Sequence, residues 1–295
     1  MESELWQFIN VVMLVLLSGS AALWYGFYAL PNGPATFRAP PIFIQVIMIF
    51  VVFIALQIFI IPSITYMGMS LFEGHGLTLK HQITDNQQSW FYIASIYFAA
   101  PAIWWFAYNF NPVFIRSLIG WDRTGNKWAQ NLHDLSVGSI TWFLTFPLVL
   151  VLGAIMKEIV ENVFHPPDVD QIAVHLFKNT FRSSWQFVLT FIGLIIPVPF
   201  AEELLFRGYF QQWLKKKVSL PLAIMGTSLL FATFHLSSTH GWHNLELMPT
   251  LFLLSCFLGF LVERQHSLWA SIGLHGTFNF VSVSLITFQI ENVPV

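Results

Sequence analysis

The chain has 295 residues, 56% hydrophobic and only 9% charged, with a formal net charge of −2. Soluble domains carry about 25% charged residues, so the composition excludes an ordinary soluble globule and points to a protein that crosses a membrane repeatedly. No basic run is interleaved with aromatic residues, so nucleic acid is not an expected partner, and the one cysteine, Cys256, excludes an intrachain disulfide.

The first residues, Met1 to Leu5, hold two acids and no basic residue, unlike a secretory signal peptide. The first apolar run is therefore expected to remain as a membrane helix. About 20 apolar residues cross the hydrocarbon core of a bilayer. Runs of that order fall at Phe8–Leu30, Pro41–Met67, Trp90–Phe110, Ser136–Met156, Ser184–Phe200, Val218–Leu236, Pro249–Val262 and Leu268–Phe288. They predict an all-α polytopic membrane protein, a bundle of about eight transmembrane helices. Pro62 is expected to kink the second span. Two polar connections, Glu73–Ser89 with His75 and His81 and Lys157–Ser183 with His165 and Asp168, read as exposed loops.

Ionisable groups are rare in the spans before Lys178–Ser184 and concentrated after it. This divides the chain into supporting segments, 1–183, and a chemical half, 184–288, expected to enclose a polar cavity. The connections also alternate in charge. One set holds Arg38, then Arg116, Arg123 and Lys127, then Lys215–Lys217, then Arg264; the other holds Lys80, Lys157, Lys178 and Arg182. Cytoplasmic loops are enriched in Lys and Arg, which places the first set in the cytoplasm and both termini outside.

The chemistry centres on Ala201–Lys217, AEELLFRGYFQQWLKKK, which follows Pro197-Val-Pro-Phe200. Intramembrane acids are expensive and usually serve function or pairing. Proline suits the first turn of a helix, so a helix is expected to restart near Pro199 and run to about Lys217. Glu203 and Arg207 then share a face as an ion pair. Glu202 points about 100° away and is left free. Two later spans carry Phe231-Ala-Thr-Phe-His235 and His275-Gly-Thr-Phe-Asn279, each pair four apart on one helical face. Helix capping, an interfacial histidine or interhelical polar glue each explains one of these stretches alone. Together, a Glu, two His and an Asn can activate water and stabilise an oxyanion; the same set without Asn279 can also ligate zinc.

The three stretches, Glu202-Glu203-x-x-x-Arg207, Phe231-x-x-x-His235 and His275-x-x-x-Asn279, resemble in order the motifs of the type II CAAX prenyl endopeptidase family, the CPBP intramembrane proteases. The resemblance covers about Ser184 to Phe288. It implies a helical bundle whose cavity opens to the cytoplasm of a bacterial membrane. By resemblance, Glu202 is the general base, His235 holds the water, and His275 and Asn279 bind the developing oxyanion. Glu203, Arg207 and Phe231 support the site. The implied substrate is a membrane-presented peptide or protein, with or without a lipid group. No cofactor is expected, although zinc through Glu202 and the histidines, or through His235, His240 and His243, is the variant reading. A non-catalytic immunity or partner-binding factor on the same fold is the alternative, and a transporter the more remote one.

Overall fold

The computed structural model describes residues 2–72, 84–167, 172–180 and 183–291. Most of the expected loop at 73–83, with His75, Lys80 and His81, lies outside the described residues, as do Asp168 and Arg182. Among the described residues every regular element is helical. Six helices are long and apolar enough to cross a membrane: Phe43–Ser70, Asn86–Phe110, Lys127–Phe164, Ser184–Leu214, Ser238–Gln265 and Leu268–Phe288. Ile9–Trp24 and Leu220–Phe234 are shorter apolar helices. The protein is thus an all-α integral membrane protein, and all eight expected apolar segments appear as helices in the expected order.

Several boundaries moved for identifiable reasons. The first helix, α1 (Glu2–Trp24), ends six residues before the predicted limit, where Gly26 at φ 63° turns the chain. The second span is α2 (Phe43–Ala55), a π segment at Leu56–Ile60, and α3 (Ile61–Phe72). The π segment closes with the Ile61 N–H bonded to the Leu56 carbonyl, five residues back, one residue before Pro62. A proline ring clashes with the carbonyl four residues earlier, and widening the preceding turn is how this helix accommodates it. α4 (Asp85–Phe110) and the short α5 (Pro112–Leu118) follow. α6 (Lys127–Phe164) has 38 residues, roughly 57 Å at 1.5 Å per residue, so it outruns a bilayer core and replaces the start of the predicted loop. α7 (Ile172–Thr180) is the short helix within that connection.

The second half runs α8 (Ser184–Ile195), α9 (Pro197–Glu203), a second π segment (Leu204–Phe210), α10 (Gln211–Leu214), α11 (Leu220–Phe234), a 3₁₀ turn (Ser238–His243), α12 (Asn244–Gln265) and α13 (Leu268–Glu291). The seventh predicted span, short in the sequence, gains its length because polar Asn244–Leu247 and Glu263–Gln265 continue the helix at both ends.

The basic connections gather at one end of the bundle, joined by side chain-to-backbone hydrogen bonds. Arg123 bonds Asp134 at 2.6 Å and the carbonyls of Gln265 and His266 at 2.6 and 3.1 Å, tying the start of α6 to the end of α12. The connection between α1 and α2 lies across this end as a strap. Arg264 donates to the Phe27 carbonyl at 2.8 Å, Asn111 to Ala39 at 3.0 Å and Lys216 to Pro40 at 3.2 Å. At the opposite end, Phe164 stacks on Trp242 with ring centroids 4.1 Å apart, and His243 Nε2 meets the Pro167 carbonyl at 3.0 Å.

α13 is clamped against α6 at two glycines. A Cβ on Gly138 would collide with the Ala270 carbonyl, and one on Gly273 with the Leu135 carbonyl. Backbone cannot swing aside as a side chain can, so Gly138→Ala and Gly273→Ala are each expected to cost about 1–3 kcal/mol through overpacking and to lower the unfolding temperature in detergent. Gly153→Ala, whose Cβ meets only the Thr250 methyl at 3.5 Å, is expected to leave it unchanged or slightly raised.

Candidate active site

The site begins with a defect in the helix ladder. Pro197 and Pro199 have no N–H to offer the Gly193 and Ile195 carbonyls, so the span breaks at Ile196, where ψ is −72° and φ −114°. The helix restarts at Pro197, two residues before the predicted point. The carbonyls around the break face α13. Asn279 Nδ2 donates to the Leu194 carbonyl at 2.9 Å. The Ile195 carbonyl lies 2.9 Å from where a Cβ on Gly276 would stand, so glycine at 276 is what lets α13 come this close.

The restarted helix does not run regularly to Lys217. It widens into the π segment Leu204–Phe210, with Gln211 N–H bonded to the Phe206 carbonyl, and ends at Leu214. Short π segments concentrate at functional sites. This one begins one residue after Glu203, and Leu204 through Tyr209 are all buried. Glu203 and Arg207 form the predicted ion pair, Nη1 to Oε1 at 2.8 Å, with both side chains at 0% exposure. Four further contacts surround it, leaving only the Arg207 Nε without a partner among its buried polar atoms. Ser271 Oγ donates to Glu203 Oε2. His275 Nδ1 meets Glu203 Oε1 at 2.8 Å. Arg207 Nη2 bonds Ser255 Oγ at 2.7 Å on α12, and its guanidinium carbon lies 4.4 Å over the Phe231 ring. Ions removed from water stay favourable only when nearly every charge-bearing atom is partnered, and four helices supply these partners.

Glu202, by contrast, is left open. Its Oε1 is 3.9 Å from His235 Nε2 and its Oε2 is 3.7 Å from His275 Nε2. Both gaps exceed a hydrogen bond, and Oε2 is buried with no protein partner. Each imidazole is fixed by its other nitrogen. His235 Nδ1 donates to the Phe231 carbonyl at 2.9 Å, and His275 Nδ1 to Glu203. Phe231 packs between the two rings, at centroid distances of 4.6 Å from His235 and 5.9 Å from His275. Glu202, His235 and His275 therefore converge, as the resemblance of the three motifs implied. Asn279 lies one turn beyond His275, with one amide hydrogen committed to Leu194 and the other uncommitted.

Sequence reasoning missed Ser271 and Ser255. Ser271, His275 and Asn279 form a four-residue-spaced polar stripe on α13, a signal that was available. Ser255 carried none. It also missed a second buried acid. Glu263, at 0% exposure on the last turn of α12, accepts from Gln211 and Gln212 Nε2 at 3.0 and 3.1 Å, from Lys215 Nζ at 2.7 Å and from the Ala35 N–H at 3.0 Å. Gln212 also reaches the Arg207 carbonyl at 3.3 Å. The C-terminal turn of a helix disfavours an anion, so it is these donors that hold Glu263 there.

The zinc reading through His235, His240 and His243 finds His243 already engaged at both ring nitrogens. His243 meets Glu246 Oε1 with Nδ1 at 2.8 Å and the Pro167 carbonyl with Nε2, and a nitrogen carrying a proton cannot ligate metal. Among the described residues no three His, Cys, Asp or Glu side chains form a metal-binding group. A separate cavity of about 370 Å³, lined by Thr65, Met69, Trp90, Ile93, Tyr97 and Leu189 among others, is apolar and contains none of the motif residues.

Residues 184–281 match the family described as type II CAAX prenyl endopeptidase Rce1-like. The matched segment contains all three motifs and has the CAAX-protease type of intramembrane fold. The UPF0177 protein YbdI of Lactococcus lactis subsp. lactis (strain IL1403) is 27% identical over 165 residues, covering 54% of this chain and 82% of the relative. No solved structure matches the chain.

Removing one partner of the central pair strands a buried charge. Arg207→Ala is expected to cost about 3–5 kcal/mol, read as loss of the folded fraction after detergent extraction. Glu203→Gln with Arg207→Met, which removes both charges, is expected to recover part of that loss.

Proposed function

We propose that the chain is an intramembrane endopeptidase of the glutamate type, acting on a peptide or protein segment presented in the bilayer. One observation carries the reading: an unpaired carboxylate, Glu202, lies between two imidazole nitrogens whose rings are each locked by their opposite nitrogen. At 3.7 and 3.9 Å, those gaps suit a shared third group such as a water better than direct bonds.

Glu202 takes a proton from water as its oxygen attacks the scissile carbonyl carbon. Because His235 donates through Nδ1, its neutral form presents the Nε2 lone pair, which accepts the water's second hydrogen and orients it. The tetrahedral oxyanion is met by His275 and by the free amide hydrogen of Asn279. His275 Nε2 donates only as the imidazolium, and in that state the cluster of Glu202, Glu203, Arg207 and His275 is neutral. As the C–N bond breaks, Glu202 returns its proton to the leaving nitrogen. Glu203 thus acts as more than a partner for Arg207: it orients His275 and balances its charge, the role a buried carboxylate plays toward histidine in other hydrolases. No step calls for a metal.

The same reading assigns residues 184–288 as the catalytic unit and 1–183 as its support, with the basic end in the cytoplasm. The substrate class is a membrane-presented chain, lipidated or not.

Glu202→Gln and His235→Ala are expected to abolish cleavage in membranes while leaving thermal unfolding unchanged, checked by comparing the membrane peptidomes of variant and parent. A phenotype that persists in Glu202→Gln would assign a non-catalytic role instead. Asn279→Ala is expected to lower kcat by about 10²–10³, the range for loss of one oxyanion donor, with little change in KM. Turnover of purified protein is expected to persist in excess chelator.

A further inference from the structure

The apolar cavity between α3, α4 and α8 has no part in the proposed chemistry. Its volume of about 370 Å³ falls within the roughly 300–1,000 Å³ of small-ligand sites, so it is more than a packing gap. Trp90, Ile93, Ala94, Tyr97 and Phe98 line it at spacings of three and four, one face of α4. Thr65 and Met69 face them from α3, and Leu189 from α8. From Trp90 to Phe98 the lining runs about 12 Å along the helix at 1.5 Å per residue. All of these residues lie in helices long and apolar enough to cross a membrane.

The hydroxyls in this lining are already spent. Thr65 Oγ1 donates to the Ile61 carbonyl of its own helix at 2.8 Å, and the Tyr97 hydroxyl donates across to the Leu189 carbonyl at 2.9 Å. Among the described residues no charged side chain lines the groove. A peptide or a lipid headgroup would leave its polar groups unpaired there, at a cost of several kcal/mol; a hydrocarbon chain would not. The surroundings supply such chains. Ile64 and Phe98 are 60% and 65% exposed beside the groove, an apolar surface that meets lipid in a membrane. Trp90 stands at the outer end, close to where the α4 span starts at Asn86, and indole rings favour the depth of the headgroups. Lipid tails are as apolar as the groove, so an occupant is kept by the fit of its chain and not by escape from water.

We propose that this groove binds one acyl chain of a membrane phospholipid, with Trp90 at the headgroup level and the chain running inward to Phe98. The bound chain braces the contact between α4 and α8. That contact is tight: a Cβ on Gly193 would stand 2.8 Å from an Ile96 methyl and 3.3 Å from the Tyr97 ring, and the Tyr97 hydroxyl holds Leu189 one turn earlier. The chain packs on the Tyr97 ring and on Leu189, and α8 breaks at Ile196 about two turns farther on. Filling the groove therefore stiffens the helix that leads into the proline break. The phospholipid binds whether or not the protein cleaves peptides.

Retained lipid can be weighed. The full-length protein is purified from membranes, washed with a delipidating detergent and examined by native mass spectrometry. The parent is expected to keep a phospholipid and Ala94→Trp, which fills the groove, to lose it. Leu17→Trp, at a position 64% exposed on α1, is expected to keep it. Phospholipid added back is expected to raise the unfolding temperature of the stripped parent and not that of Ala94→Trp. Equal retention by parent and Ala94→Trp would overturn the site. The second measurement needs no variant. In vesicles, a phospholipid with a diazirine at the end of one acyl chain is expected to crosslink to the lining peptides of α3 and α4 in preference to other apolar surface. Labelling spread evenly over exposed positions such as Leu17 and Phe59 would show bulk lipid contact only and overturn the proposal. Loss of the crosslink to an added farnesylated peptide, with no effect of unmodified peptide, would also overturn it, since the groove would then hold the lipid group of a substrate.

Discussion

A carboxylate and a guanidinium moved out of water lose several kcal/mol of solvation each, and Glu203 and Arg207 both have no exposed surface. What makes the pair tolerable dictates much of the bundle around it. α13 must bring Ser271 and His275 to the carboxylate, α12 must bring Ser255 to the guanidinium, and α11 must lay Phe231 under it. Those demands set the mutual positions of four helices. The site's two histidines are then placed as consequences, since one bonds the pair directly and the other caps the helix whose Phe231 packs on it.

The neighbouring glutamates show how one turn of backbone separates structure from reactivity. Adjacent residues on a helix point about 100° apart, so only one of them can face Arg207. The π segment that follows keeps Arg207 within reach of Glu203 while its wider turn carries Gln211 and Gln212 round to Glu263. A regular helix from Pro199 to Lys217 places those glutamines at different angles. The irregularity is thus matched at both ends by buried acids, Glu203 at its start and Glu263 beyond its finish, and each acid is satisfied by donors from other elements. Gly259 belongs to the same fit: a Cβ there would press within 2.6 Å of the Gln211 side-chain oxygen.

The grouping of Glu202 with His235 and His275 was legible only through the resemblance of the three motifs, whereas the apolar segments and the Glu203–Arg207 pair depend on hydrophobic length and on four-residue spacing. Both are local properties. What could not be read was whatever depends on a distant partner. Ser255 looks like any small polar residue in an apolar run until Arg207 is placed beside it. Glu263 looks like a helix-end acid until Ala35, more than 200 residues away in the chain, is found bonded to it. The π segment was hidden for a related reason, since its ladder is set by what the widened turn contacts and not by the propensities of LLFRGYF. Helix ends were misplaced where polar residues extend a span, as in α12, or where a long helix leaves the membrane, as in α6.

The division of the chain into a supporting and a chemical half also changes meaning. By charge alone, residues before 184 seem dispensable to the chemistry. Yet α4 holds the Phe200 carbonyl through Trp104 at 3.1 Å and reaches the Leu189 carbonyl through Tyr97 at 2.9 Å, bracketing the proline break from the first half. α6 supplies Gly138 to the close crossing with α13, and the strap supplies Ala35 to Glu263. A buried acid such as Glu263 is destabilising unless its donors are fixed in place, and two of its four come from a backbone N–H of the first half and from the lysine that clamps the same peptide. The ladder that keeps Arg207 and Glu203 in register is therefore closed only by the N-terminal segments. They complete the polar interior of the second half and do not merely surround it.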